Sequence, residues 1–150
     1  MLEAADVDFE QVLDLYAGSG ALGIEALSRS DGEATFVEAD PQAIEAIREN
    51  LDRTRLQDRA RVTQARVERW RAPAGMTYTL VLADPPYHDA ASWEAIDAAV
   101  QQALAPHAVV VVEHEARTTP PDTLAGRPLW RDRRQGAGSV AVYRIAGEEA

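Results

Sequence analysis

Val12-Leu13-Asp14-Leu15-Tyr16-Ala17-Gly18-Ser19-Gly20-Ala21-Leu22-Gly23 is the stretch on which the fold of this chain turns. An apolar start runs into a glycine loop, and the loop opens the helical stretch Ala21 to Arg29. Glycines at 18 and 20 permit a tight turn and the close approach of a ligand, while the helix start supplies free N–H groups. Gly18, Gly20 and Gly23 satisfy the spacing Gly-x-Gly-x-x-Gly, which admits NAD, FAD or another adenosine-bearing cofactor. No Gly-Lys-Ser/Thr follows, so nucleotide hydrolysis by a phosphate loop has no support.

The next apolar segment, Ala34-Thr35-Phe36-Val37, ends at Glu38, twenty residues after Gly18. An acidic side chain at that strand end can accept both hydroxyls of a ribose. Asp40-Pro41 reads as an N-cap followed by proline at the first helical position. Beyond it, Ile44, Ile47 and Leu51 form one apolar helical face, Val62 to Gln64 a short strand and Tyr78 to Ala83 a longer one. Trp93, Ile96, Val100 and Leu104 continue as a second helical stripe. Ala108-Val109-Val110-Val111-Val112 is apolar on both faces, as expected in a parallel sheet covered by helices. Arg127 to Arg133 and Ser139 to Ile145 flank Arg134-Gln135-Gly136-Ala137-Gly138, a hairpin signal. The expected fold class is α/β: a mostly parallel sheet with a C-terminal antiparallel hairpin and helices on both faces. About seven strands and four or five helices fit one domain over residues 1–150.

A second candidate site closes the strand at Val81-Leu82-Ala83. Asp84-Pro85-Pro86-Tyr87 follows it directly. Two prolines fix φ and contribute no N–H, so the turn offers acceptors only, and Asp84 at neutral pH is an acceptor too. With Tyr87 as a stacking ring, the tetrapeptide suits a planar base bearing an exocyclic amine. Asp-Pro-Pro also serves as an ordinary strand-ending turn.

Composition narrows the classes. The absence of cysteine removes disulfides, thiolate catalysis and cysteine-bound metal. His88, His107 and His114 lack a compact ligand spacing, so no metal is expected. Without an apolar run of eighteen or a signal-like start, the expected location is cytoplasmic, with no membrane partner. The net charge of −10 opposes indiscriminate nucleic-acid binding. Yet all basic residues are arginine, and they cluster as Arg53, Arg55, Arg59, Arg61, Arg66, Arg69 and Arg71, and again as Arg127, Arg131, Arg133 and Arg134. Either group can track an RNA backbone or form a solvated face.

The run Asp14 to Arg29 together with Asp84-Pro85-Pro86-Tyr87 resembles the 16S ribosomal RNA guanine-N2 methyltransferase family, the RsmD type. The likeness extends from about Phe9 to Ile145, and Gly136 to Tyr143 is similar to the family's closing hairpin. The resemblance implies a Rossmann-like class I methyltransferase that uses S-adenosylmethionine to modify a guanine amine in small-subunit RNA. It implies a cofactor wall from Asp14, Tyr16, Ala17, Gly18, Gly20, Glu38, Ala39 and Arg66. Asp84 and Pro85 would hold the target amine and Tyr87 would stack on the guanine. The implied partner is ribosomal RNA or a partly assembled small subunit.

Two positions depart from the family pattern. Ala65-Arg66 stands where members usually carry an acidic or amide residue near the adenine. Eleven residues precede Val12, where members usually have a basic segment and hairpin, so a domain lacking that N-terminal extension is expected. The rival readings are a DNA adenine-N6 methyltransferase, a small-molecule or protein methyltransferase, an inactive S-adenosylmethionine-binding module and an NAD-dependent dehydrogenase. The last leaves Asp84-Pro85-Pro86-Tyr87 without a role.

Overall fold

In the computed structural model, which describes residues 7–86 and 89–145, the opening stretch forms β1 (Gln11–Leu15), a glycine loop and α1 (Ala21–Ser28). The chain continues through β2 (Glu33–Glu38), α2 (Pro41–Thr54), β3 (Ala60–Gln64), β4 (Tyr78–Ala83) and α3 (Ser92–Val100). It ends with β5 (Leu104–Glu115), β6 (Thr123–Leu124), β7 (Arg127–Gln135) and β8 (Gly138–Tyr143). The eight strands make one sheet in the order β3-β2-β1-β4-β5-β8-β7-β6. The first five strands are mutually parallel, and β8, β7 and β6 add on in antiparallel fashion. β1 leads outward to β2 on one side and pairs with β4 on the other. The strand order therefore reverses between β1 and β4, and ligands of open α/β sheets sit outside the carboxyl ends at such a point.

Alternation along the strands builds two cores. Leu13, Leu15, Val81, Ala83, Val110, Val112, Ala141 and Tyr143 pack with Ile96 and Val100 of α3. Val12, Phe36, Leu80, Leu82, Val109, Val111 and Val140 pack with Ala26 and Leu27 of α1 and Ile44, Ile47 and Leu51 of α2. Burying aliphatic side chains on both faces contributes roughly 1.5–3 kcal/mol each, which is why the valine run in β5 sits mid-sheet. α2 starts as its sequence dictates: the Asp40 side chain accepts from the Gln42 N–H at 3.0 Å, with Pro41 behind it.

Three sequence expectations need correction. Among the described residues there are three α-helices and two 3-10 turns, fewer helices than expected. The β3–β4 connection holds only the 3-10 turn Val67–Arg69, because the Arg-Ala-Pro-Ala-Gly run at 71–75 ends any helix there. Leu104, the last residue of the Trp93 stripe, begins β5 instead of extending α3. The arginine groups are also not free arrays. Arg127 is buried and donates to the carbonyls of Ala105, Pro106, Ala108 and Ala125. Arg59 donates to the carbonyls of Leu27, Ser30 and Gly32, satisfying acceptors left open past the end of α1.

Candidate active site

The glycine loop is held against β2 by its own backbone and by Glu38. The Ala17 N–H donates to the Val37 carbonyl at 3.1 Å, and the Gly20 N–H to the Ala17 carbonyl at 2.8 Å. One Glu38 oxygen accepts from the Gly18 N–H at 2.8 Å, the other from the Asp40 N–H at 3.0 Å. Tyr16, Gly18 and Gly20 have left-handed φ values of 55°, 59° and 83°. A Cβ at Gly18 would meet nothing within 4 Å, so the chain there borders open space. Gly23 answers a different constraint: a Cβ there would lie 2.5 Å from the Phe36 ring and 2.9 Å from Asp14 Oδ2. The third glycine of the fingerprint thus lets α1 pack closely on the sheet.

Asp14 sits beneath this loop, 1% exposed, and one of its oxygens accepts from the Gly23 N–H at 3.0 Å. Burial pushes its pKa up to about 8, against the lowering effect of the Gly23 bond, and the nearby Asp84 and Glu38 carboxylates push the same way. Asp84 follows β4 directly and is exposed, whereas Pro85 is buried. Crowding by the protein raises the Asp84 pKa above the usual carboxylate range.

β5 brings a residue that the sequence alone did not single out. Ala83 pairs with Val112, so Glu113 comes level with Asp84 on the neighbouring strand. Partial burial raises the Glu113 pKa, and the Asp84 charge raises it further. The available signal was the glutamate that breaks the valine run at the level where Asp84 ends β4.

Tyr16, Ala17, Gly18, Gly20, Glu38 and Ala39 line the carboxyl ends of β1 and β2, with Asp14 below them and Asp84 and Pro85 opposite on β4. Tyr16 reaches toward Ser92 at the start of α3, and burial raises its phenol pKa. Ala65 donates its N–H to the Glu38 carbonyl at 2.9 Å, placing the end of β3 beside that of β2. Arg66 stands further out, 68% exposed and 3.6 Å from Glu68. Tyr87 lies outside the described residues. Among the described residues, no group of three or more His, Asp or Glu side chains is arranged to hold a metal ion, and no helix is long and apolar enough to cross a membrane.

This geometry meets its counterpart among known proteins. A family described as conserved hypothetical protein 95 matches residues 1–144. The ribosomal RNA small subunit methyltransferase D of Escherichia coli K12 is 36% identical over 93% of this chain and 69% of its own length. The chain belongs to this methyltransferase family. A solved conserved hypothetical protein of Streptococcus pyogenes, 29% identical, superposes with a TM-score of 0.79 over 93% of this chain and 88% of its own. The RNA methyltransferase of Salinibacter ruber, solved with S-adenosyl-L-homocysteine, shares the fold at 20% identity and a TM-score of 0.71, over 99% of this chain and 90% of that one. The family member described here therefore has the class I methyltransferase fold, with its glycine loop and Asp84-Pro85-Pro86 turn facing each other across the strand-order reversal.

Proposed function

We propose that this chain transfers the methyl group of S-adenosylmethionine to the exocyclic N2 amine of a guanine in 16S ribosomal RNA, acting in the cytoplasm on free RNA or a partly assembled small subunit. The observation that carries this reading is the juxtaposition of two acceptor-rich elements at one strand-order reversal: the glycine loop clasped by Glu38, and the donor-free turn led by Asp84.

The donor set fits the cofactor. Glu38 keeps lone pairs for ribose hydroxyls after accepting from Gly18 and Asp40. Open space borders Gly18, the carboxyls of Asp84 and Glu38 flank the loop with oxygens suited to a cation, and Asp14 beneath it can ionise when a cation is bound. When bound, S-adenosylmethionine supplies a methyl group activated by a sulfonium. Tyr16, Ala17, Gly18 and Gly20 then form the wall on the methionine side, with Asp14 supporting them from below, and Ala39 and Arg66 flank the adenosine.

On the substrate side the task is orientation. The guanine N2 lone pair is delocalised into the ring, so the amine must be held for in-line attack. Asp84 and the carbonyls of the proline turn accept from the two N–H bonds, and Tyr87 stacks on the base. The proton that nitrogen loses goes to Asp84 or through it to water. An Asp84 pKa raised by crowding makes that carboxylate a better acceptor than a solvated one.

The test is transfer of labelled methyl to unmodified small-subunit RNA, the assembled subunit, duplex DNA and free guanosine, with the methylated atom located by mass analysis. Transfer confined to guanine N2 of ribosomal material is the expected result. Methylation of adenine in DNA would overturn it, as would tight cofactor binding with no transfer to any substrate.

A further inference from the structure

β7 carries an exposed aromatic residue where an edge strand should avoid one. Among the described residues β6 pairs only with Arg127 and Pro128 and leaves the rest of β7 as an open edge, exposed from Trp130 to Gln135. Arginines on such an edge have an ordinary use, because charge deters strand addition. A large ring has no such use. Trp130 is 40% exposed and sits at the register shift between Leu129 and Arg131, where one extra residue bulges out of the ladder. Bulges re-aim side chains, and this one presents an indole to solvent.

The ring is not bare. The Arg131 guanidinium lies 4.2 Å from its centroid and that of Arg144 4.1 Å. Such stacking holds guanidinium groups in place while leaving outward N–H edges for an anion.

Register fixes where these groups stand. Glu113, level with Asp84, pairs with Val140, and Val140 pairs with Arg133. Val142 pairs with Arg131. Val140 and Val142 belong to the core on the α1 side, and directly paired residues project from the same face. Asp84, Glu113, Val140 and Arg133 therefore form one row across β4, β5, β8 and β7, about 14 Å long at the usual strand spacing. Alternation sends Asp132 to the other face, where it accepts from His114 Nε2 and Ser139 Oγ, both at 2.8 Å. Asp132 is turned away, together with Arg134, while Arg131 and Arg133 are turned toward the site.

We propose that the α1-side face of β8 and β7 is the surface on which RNA flanking the target nucleotide lies, its phosphates held by Arg131, Arg133 and Arg144 with Trp130 as the platform that fixes two of them. This deepens, and rests on, the reading of the chain as an RNA methyltransferase. It also chooses between the two arginine groups. In the other, Arg59 is committed to carbonyls, Arg66 faces Glu68, and Arg71 donates to the Trp70 carbonyl at 2.6 Å.

The experiment measures binding of a fluorescein-labelled oligouridine and of unmodified small-subunit RNA as a function of salt. S-adenosyl-homocysteine affinity is measured in parallel as a folding control. Arg131→Glu/Arg133→Glu should weaken RNA binding at least ten-fold, and flatten the slope of log K against log salt by about 1.4, two single-strand phosphate contacts. Trp130→Ala should weaken it about five-fold, with Trp130→Phe recovering most of the loss. Arg61→Glu/Arg69→Glu should change it less than two-fold, and none of these should alter homocysteine-cofactor affinity. If the wild type methylates guanine N2 in the ribosomal RNA but the β7 variants bind and react as it does, the surface assignment fails and the enzymatic reading stands. If the wild type neither binds nor methylates RNA, both fail. RNA affinity unmoved by variants that convert a wild-type dimer to a monomer would make this edge a self-association contact and overturn the proposal.

Discussion

Two rims of the same sheet differ in how their charges are managed. At the carboxyl ends of β1, β2, β4 and β5 four acids, Asp14, Glu38, Asp84 and Glu113, crowd together, and three have raised pKa values. Along β7 Arg131, Arg133 and Arg134 are exposed, and the Trp130 ring orders Arg131 and the neighbouring Arg144. The acidic rim stores repulsion and desolvation that a bound cation would relieve. The basic edge stores little, because its charges remain in water. Stability and catalysis should therefore respond to the acids, and RNA affinity and salt dependence to the arginines.

The largest effect expected from breaking this division is at Asp84. Asp84→Ala removes both the acceptor that orients the amine and the proton acceptor, and should lower kcat by about 10²–10⁴-fold. Cofactor affinity should stay within a few-fold of wild type. Asp84→Asn keeps one acceptor and should fall between the two. Single-turnover methyl transfer with saturating cofactor separates these outcomes. Turnover by Asp84→Ala at the wild-type rate would remove Asp84 from the chemistry.

The next effect is on stability, and its sign is unusual for an aspartate. Burial raises the Asp14 pKa from 3.8 unfolded to about 8 folded, so between those values the folded chain holds a proton that the unfolded chain has released. The cost is absent below about pH 4, grows as pH rises and levels off above about pH 8. Asp14→Asn resembles the protonated acid, keeps an acceptor for the Gly23 N–H and should stabilise the chain at pH 7 by on the order of 2–4 kcal/mol. The same change should weaken S-adenosylmethionine binding, since a bound cation would favour the ionised form of Asp14 and an amide cannot ionise. Thermal denaturation from pH 4 to 9 checks the first point and calorimetry the second. A variant less stable than wild type at pH 7 would contradict the assigned cost.

The acidic rim was largely legible in the sequence because its parts are local. Gly18, Gly20 and Gly23 have backbone reasons that spacing reveals, Glu38 ends a visible strand, and Asp84 precedes two prolines. The strand Tyr78–Ala83 and the stripe Ile44, Ile47 and Leu51 were equally plain, since periodicity encodes burial. The basic edge was only partly legible. Counting charges cannot tell that Arg127 is buried on carbonyls while Arg131 is exposed, because those carbonyls lie about twenty residues away in the chain. Trp130 became informative only once a bulge placed it outside the ladder, and Glu113 once β5 paired with β4.

The smallest expected effect lies at Glu38, where binding and structure share one side chain. Its carboxylate accepts from the Gly18 and Asp40 N–H groups, so Glu38→Ala should both free the glycine loop and remove the ribose acceptor. Losing well-aligned charge-assisted hydrogen bonds to the ribose should weaken cofactor binding by about 1–3 kcal/mol. The loop bonds are half-exposed, so water replaces them and the stability loss should stay near 1 kcal/mol. Glu38→Gln sharpens the distinction. It retains one oxygen to hold the loop but turns the other acceptor into a donor, so stability should recover more than affinity. Calorimetric titration beside urea denaturation reads both quantities. Equal losses in the two would mean that Glu38 only shapes the loop, and that the ribose is held elsewhere.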